Sequence, residues 1–267
     1  MSGLKIGFIP DTQIIPGIPL DYMRWAGEFC ADKEVDGVMF AGDVGDMQSL
    51  SSYSSKLEVE GRRYKEDVEA YHAGLDAFMG AVLLRQNEQR VNGLEMWKPW
   101  VMLTLGNHEY RVQRYVNDHP EMVGQMGMGD FNRGDIEVVP FLEVVEIGGV
   151  LFSHYFQNQK ASRPIGGMME TRIKNIGHGF VAGHEQGRKF GTFDTALGRR
   201  DGLVAGSYYP HDEGYRGPQA NGEWRGIVVL HEVKDGTFDP MFVSIQWLCG
   251  RYQGMLWSEY RREHGLG

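Results

Sequence analysis

Four short stretches of this chain share one design: Asp11-Thr12-Gln13, Gly42-Asp43-Val44-Gly45-Asp46, Gly106-Asn107-His108-Glu109 and Gly183-His184-Glu185-Gln186. Each joins a glycine or an apolar run to side chains that can bind a metal ion. With His154 they offer enough ligands for two adjacent divalent cations. Two cations side by side suit the cleavage of phosphate esters, because they neutralise phosphoryl oxygens and make bound water acidic.

The spacing assigns parts. Asp11 and Gln13 stand two apart after an apolar run, so a continuing strand puts both on one face and within reach of one ion. Asp43 can bridge two cations through its two carboxylate oxygens. Asp46 is better placed as an orienting partner. Asn107 offers a neutral amide oxygen. Its neighbour His108 then points elsewhere and is available to protonate a leaving oxygen. His154 and His184 each follow an apolar run. His72, His119, His178, His211, His231 and His264 lack that placement and read as structural.

The elements that must deliver these groups are legible from periodicity. Residues 5–10 (KIGFIP), 36–42 (DGVMFAG) and 100–105 (WVMLTL) read as buried strands ending at Asp11, Asp43 and Gly106. Residues 20–33 and 65–84 carry helical patterns. In an open α/β sheet, ligands bind beyond the carboxyl ends of strands, so Asp11, Asp43 and Asn107 should meet at one edge. Residues 138–153 read as two strands joined at Gly148-Gly149. Residues 179–183, 189–193, 203–208, 224–233 and 242–248 read as further strands. No linker, repeat or low-complexity run divides the chain, so residues 1–267 are expected to form one domain. The expected fold is α/β, with two sheets face to face and helices outside.

Composition narrows the partners. The chain has 267 residues and a net charge of −9, with no Lys/Arg block. An extended basic face for DNA is therefore not expected. A small phosphate ester, or a nucleic-acid end entering a metal-lined pocket, fits better, because the metals supply the positive field. Cys30 and Cys249 read as buried free thiols in a reducing, cytoplasmic setting. The N-terminus lacks a signal-peptide pattern, and no apolar run approaches the roughly 20 residues of a bilayer span.

Taken together, the motifs resemble the calcineurin-like metallophosphoesterase superfamily. That family shows D-x-H, G-D-x-x-D, G-N-H-E or G-N-H-D, a lone His, and G-H-x-H. The corresponding stretches here are Asp11-x-Gln13, Gly42-Asp43-x-x-Asp46, Gly106-Asn107-His108-Glu109, His154 and Gly183-His184-x-Gln186, over residues 6–187. The segments PDTQ, SLSSY and EGRRY are similar to bacteriophage-encoded members. The resemblance implies a four-layer α/β/β/α sandwich of two mixed β-sheets flanked by helices. It implies a first metal held by Asp11, Gln13, Asp43 and Gln186, and a second held by Asp43, Asn107, His154 and His184. It also implies His108 as general acid, oriented by Asp46, and a hydroxide bridging the metals as nucleophile.

Both departures from the family pattern fall on one ion, where Gln13 and Gln186 replace histidines. Amide oxygens keep the charge of the site but harden it, which favours Mn²⁺, Mg²⁺ or Ca²⁺ over Zn²⁺ there. The imidazole-bearing ion suits Mn²⁺, Zn²⁺ or Fe²⁺. Mn²⁺ is thus the favoured metal for the pair. Arg62, Arg63 and Arg111 are the expected phosphate contacts. Residues 208–224, with Tyr208, Tyr209, His211, Tyr215, Arg216 and Trp224, read as a surface loop with two uses: its aromatics pack on their own domain, the favoured reading, or they cover the cleft and stack a base. The leading expectation is a phosphodiesterase acting on nucleotides or nucleic-acid ends. A phosphomonoesterase or protein phosphatase is the alternative, and a binding protein that has lost the first metal is the third.

Overall fold

The computed structural model describes residues 3–52, 60–213, 219 and 221–266. Strands β1 (Leu4–Ile9), β2 (Gly37–Phe40), β3 (Trp100–Thr104) and β4 (Glu137–Val139) alternate with helices α1 (Asp21–Lys33), α2 (Tyr64–Val91) and α3 (Tyr110–Asp118). Then come β5 (Val145–Ile147), β6 (Val150–Ser153), the short pair β7 (Gln157–Asn158) and β8 (Arg163–Pro164), and helix α4 (Met169–Ile176). Strands β9 (Gly179–Ala182), β10 (Lys189–Thr195), β11 (Gly198–Val204), β12 (Gly226–Lys234) and β13 (Thr237–Ser244) follow, and helices α5 (Ile245–Tyr252) and α6 (Trp257–Glu263) come last.

The strands form two mixed sheets, in the orders β13-β12-β1-β2-β3-β4 and β10-β11-β9-β6-β5. Three apolar clusters separate four layers. Phe8, Met39, Phe152, Val181, Leu203 and Val228 fill the space between the sheets. Phe40, Leu103 and Val229 turn the other way, onto Trp25, Phe29, Tyr71 and Phe78 of α1 and α2. Ile173 of α4 covers Phe180 and Val204 on the outer face of the second sheet. The expected α/β sandwich is the observed one. Neighbouring residues such as Met39 and Phe40 serve opposite faces, as the period-two geometry of a strand requires. Among the described residues, no helix is long and apolar enough to cross a membrane.

Boundaries moved where polar residues carry an element past its apolar stripe. Helix α2 begins at Tyr64 and runs to Val91, beyond the expected residue 84, although Leu83 and Leu84 are exposed. Residues 242–248, expected as a strand, divide at Ser244. Its side chain accepts the Trp247 N–H at 3.2 Å and caps α5, so Ile245 onward is helical. The residues 138–153 also divide: β4 joins the first sheet, whereas β5 and β6 form the hairpin in the second. Its turn is Gly148-Gly149, with φ of 60° and 76°. Both buried cysteines are free, as expected.

Candidate metal centre

Strands β1, β2 and β3 are parallel neighbours, with Ile9 beside Phe40 and Phe40 beside Leu103. Their carboxyl ends therefore lie together, and Asp11, Asp43 and Asn107 follow them. Beyond the strands the first two segments stay zipped: Gln13 N–H donates to the Asp43 carbonyl at 2.9 Å, and Ile14 N–H to Val44 at 2.7 Å. In the second sheet Ser153 lies beside Ala182, so His154 and His184 emerge side by side. His184 N–H donates to Asp11 Oδ1 at 3.0 Å, which ties the two sheets together at the site.

The motif glycines permit this closeness. A Cβ on Gly106 would stand 2.1 Å from Asp43 Oδ1, and one on Gly183 would stand 2.5 Å from Asp11 Oδ1. Gln13, Asp43 and His184 themselves have left-handed backbones, with φ of 39°, 48° and 67°.

Four of the expected ligands converge. Asn107 Oδ1 is 2.9 Å from His154 Nε2 and 2.7 Å from His184 Nδ1. Asp43 Oδ2 is 3.4 Å from His154 Nε2. One candidate ligand atom from each of Asp43, His154 and His184 lies within 4.8 Å of the other two. His154 Nδ1–H donates to the Ala41 carbonyl at 2.6 Å, so in the neutral ring the Nε2 lone pair faces the cluster. A backbone partner of this kind fixes the tautomer a metal ligand needs. Burial opposes charge on His154, but Asp43 outweighs it and raises the imidazole to about 9. Burial and the neighbouring His154 pull His184 down to about 4, which keeps the ring neutral, as a metal ligand must be. Burial pushes the Asp43 carboxyl up, yet His108 and His154 together hold it far below the usual carboxylate range.

The other side of Asp43 passes a separate test of fit. Asp11 Oδ2 and Gln13 Oε1 are buried oxygens without a hydrogen-bond partner. Two such acceptors, on segments that flank Asp43, suit a cation, since an unpaired buried acceptor is otherwise costly. Burial pushes Asp11 up to about 7. Gln186 is held differently. Its Oε1 accepts the Tyr209 hydroxyl at 2.7 Å. Asp43, His154 and His184, with Asn107, could therefore hold one cation, while Asp11 and Gln13 offer unpaired oxygens and Gln186 is tied to Tyr209.

His108 sits at the rim. Its Nδ1 is 2.7 Å from Asp46 Oδ1 and its Nε2 is 3.6 Å from Asp43 Oδ2. Burial disfavours its charge, but Asp43 and Asp46 prevail and the ring holds its proton more tightly than usual. Arg111, expected at the substrate, is buried and committed elsewhere. Its Nη1 donates to the Asp46 carbonyl at 2.6 Å and reaches Asp46 Oδ1 at 3.5 Å. The guanidinium thus fixes the partner of His108. Arg62 and Arg63 lie before α2, where Arg63 Nη1 donates to the Arg62 carbonyl. Arg62 acts electrostatically on Asp67.

Glu109 is the residue that spacing did not single out. Fully buried, its carboxylate accepts N–H groups from Asp43 at 3.0 Å, Gly45 at 2.9 Å and Gly106 at 2.8 Å. It clamps two ligand-bearing loops together. The bond back to Gly106, three residues earlier, has the reach of a capping-box acid, and Gly-x-x-Glu ahead of a helix is the signal that marks it. Of the two readings of residues 208–224, the packed one holds at Tyr208 and Tyr209. Tyr208 and Tyr209 are buried. The Tyr208 hydroxyl donates to the Tyr22 carbonyl at 2.5 Å, and His211 pairs with Glu213. Tyr215 and Arg216 lie outside the described residues. In comparisons with known proteins, no family model and no curated protein sequence matches this chain.

Proposed function

We propose that this chain is a metal-dependent phosphoesterase of the calcineurin-like kind, acting on phosphodiester bonds in nucleotides or nucleic-acid ends with two divalent cations, Mn²⁺ favoured. One observation carries the reading. Asp43, Asn107, His154 and His184 converge beside the unpaired oxygens of Asp11 and Gln13, and the His108–Asp46 pair stands at their rim. Buried acceptors left without donors are costly in a purely structural cluster and suit a cation.

When bound, the cations supply charge neutralisation at the phosphoryl oxygens and a lowered pKa for water. Asp11, Gln13, Asp43 and Gln186 would hold one. Asp43, Asn107, His154 and His184 would hold the other. Asp46 fixes one nitrogen of His108, and the opposite nitrogen carries the proton given to the leaving oxygen. Arg111 keeps Asp46 in place.

The test is hydrolysis of bis-p-nitrophenyl phosphate and p-nitrophenyl phosphate by chelator-stripped protein reloaded with Mn²⁺. Asp43→Ala should lose hydrolysis and both metals by elemental analysis. One metal retained at full strength with most of the activity would defeat the bridging assignment. Hydrolysis of neither ester by the loaded wild type would defeat the reading. The Tyr209–Gln186 hydrogen bond supports a second reading, a binding protein that holds one cation only. A stoichiometry of one metal together with no hydrolysis distinguishes it.

A further inference from the structure

The β7–β8 hairpin leaves directly from the candidate metal centre. His154 follows β6, Tyr155 comes next, and Gln157 begins the hairpin, where it lies opposite Pro164. Ile165 N–H returns to the Phe156 carbonyl at 2.8 Å and closes its base. Between this hairpin and α4 lies an open cleft of about 650 Å³, lined in part by Tyr155, Phe156, Gln157, Asn158, Lys160 and Asn175. That volume is in the range of small-ligand sites.

The cleft adjoins the ligand cluster. The Tyr155 ring centroid is 4.6 Å from that of His184 and 5.6 Å from that of His154. A smaller hollow shares Tyr155 and Phe156 with the cleft and continues to His184 and Glu185. A group attached to a phosphate at the cluster thus has an aromatic-floored place beside it.

The lining selects the chemistry of that group. Tyr155 and Phe156 offer flat apolar faces. The amides of Gln157, Asn158 and Asn175 carry both donors and acceptors. Lys160 adds positive charge, and no Asp or Glu is among the described residues that line the cleft. A cationic peptide would lack a counter-charge there, and a phosphopeptide would lack the arginine fork that usually grips it. A flat heteroaromatic ring with mixed hydrogen-bonding edges, joined to an anion, meets every part.

We infer that the cleft binds one nucleoside of the substrate, with Tyr155 stacking on the base and Gln157 and Asn175 reading its edge. This rests on the phosphoesterase reading and narrows it to substrates bearing a base.

Two diesters with a common leaving group test it: thymidine 5′-(p-nitrophenyl phosphate) and bis-p-nitrophenyl phosphate. The Mn²⁺-loaded wild type should prefer the nucleoside ester at least tenfold in kcat/KM. Gln157→Ala with Asn175→Ala should cut that preference at least fivefold, mostly through KM. Both side chains are exposed, so folding is retained. A preference under twofold, or one unmoved by the double variant, overturns the inference. A gain above tenfold for a trinucleotide over the single-nucleoside ester overturns it too, because recognition would then run along a strand. If the wild type hydrolyses neither ester, the phosphoesterase reading falls by itself, and calorimetry decides the cleft. Thymidine monophosphate binding at least fivefold tighter than inorganic phosphate, and losing that margin in the double variant, upholds it. Equal affinities overturn it.

Discussion

Glu109 holds Asp43 through the backbone: its Oε2 accepts the Asp43 N–H at 3.0 Å and the Gly106 N–H at 2.8 Å. One carboxylate oxygen thus joins the loops after β2 and β3, and Oε1 adds Gly45. Burial and the Asp43 charge raise the Glu109 carboxyl, and the Gly45 and Gly106 N–H groups oppose that rise. Glu109→Gln turns one acceptor into a donor facing a donor. It should cost about 1–3 kcal/mol in urea unfolding. It should also weaken Mn²⁺ binding, since Asp43 loses its anchor. Unchanged metal affinity would show that Asp43 is held by other means.

His108→Ala should lower turnover on an alkyl phosphodiester by roughly 10²- to 10⁴-fold, the usual contribution of a positioned acid. Metal content should not change. The loss should shrink with a nitrophenol leaving group, which needs little protonation. Asp46→Asn should follow the same pattern more weakly, because Arg111 still grips the Asp46 backbone carbonyl. A matching drop in metal content would make His108 a ligand instead.

The two glutamines should set metal preference. Gln13→His with Gln186→His is expected to move activity from Mn²⁺ toward Zn²⁺. Histidine is among the residues that tolerate a left-handed backbone, so φ of 39° at position 13 does not forbid it. Tyr209→Phe removes the hydroxyl that orients the Gln186 amide. It should weaken one Mn²⁺ site by roughly 2- to 12-fold, the worth of one hydrogen bond, and spare the other. Titration calorimetry resolves the two sites. Equal loss at both would mean that Gln186 does not belong to one ion.

Metal binding should release protons. His154 is raised to about 9 by Asp43 against burial, and Asp11 is raised to about 7 by burial. Both must be deprotonated to act as ligands. Mn²⁺ titrations at pH 7 in buffers of different ionisation enthalpy should therefore show about one proton released or more. The sign carries over to stability. Each group has a folded value above its unfolded one, so its contribution is fully present below the unfolded value and fades as pH rises through the folded value. His184, pulled down to about 4, works in the opposite sense below its ordinary value and offsets Asp11 there, so metal-free protein should weaken from about pH 6.5 to about pH 9. The melting gap between Mn²⁺-loaded and chelated protein should widen across that window. A gap that narrows as pH rises would contradict the assignment.

The strands that carry the candidate ligands were legible because each is a short apolar run stopped by a polar cluster. Placement at a strand end separated His154 and His184 from the other histidines. The fate of individual side chains was less visible. Arg111 is adjacent to the right motif, but only its place as the second residue of α3, packed on Asp46, shows that it faces Asp46 rather than solvent. The tyrosines at 208 and 209 look like loop aromatics among Gly and Pro, yet Tyr208 packs on Tyr22, with ring centroids 5.4 Å apart. Such long-range contacts leave no local period. The same holds for Ser244, whose capping of α5 outweighs the β-branched and aromatic residues around it.

Left-handed backbone at Gln13, Asp43 and His184 has an evolutionary consequence. Such conformations in non-glycine residues cost of order 1–3 kcal/mol each where the surroundings impose them. Three candidate ligands on such backbone make this corner of the molecule a place where stability and chemistry pull apart. A library selected for heat resistance in the presence of chelator should drift toward Gly or Asn at positions 13, 43 and 184. The same library selected with Mn²⁺ present should keep the residues it has, because there the ligands contribute more than their backbone costs.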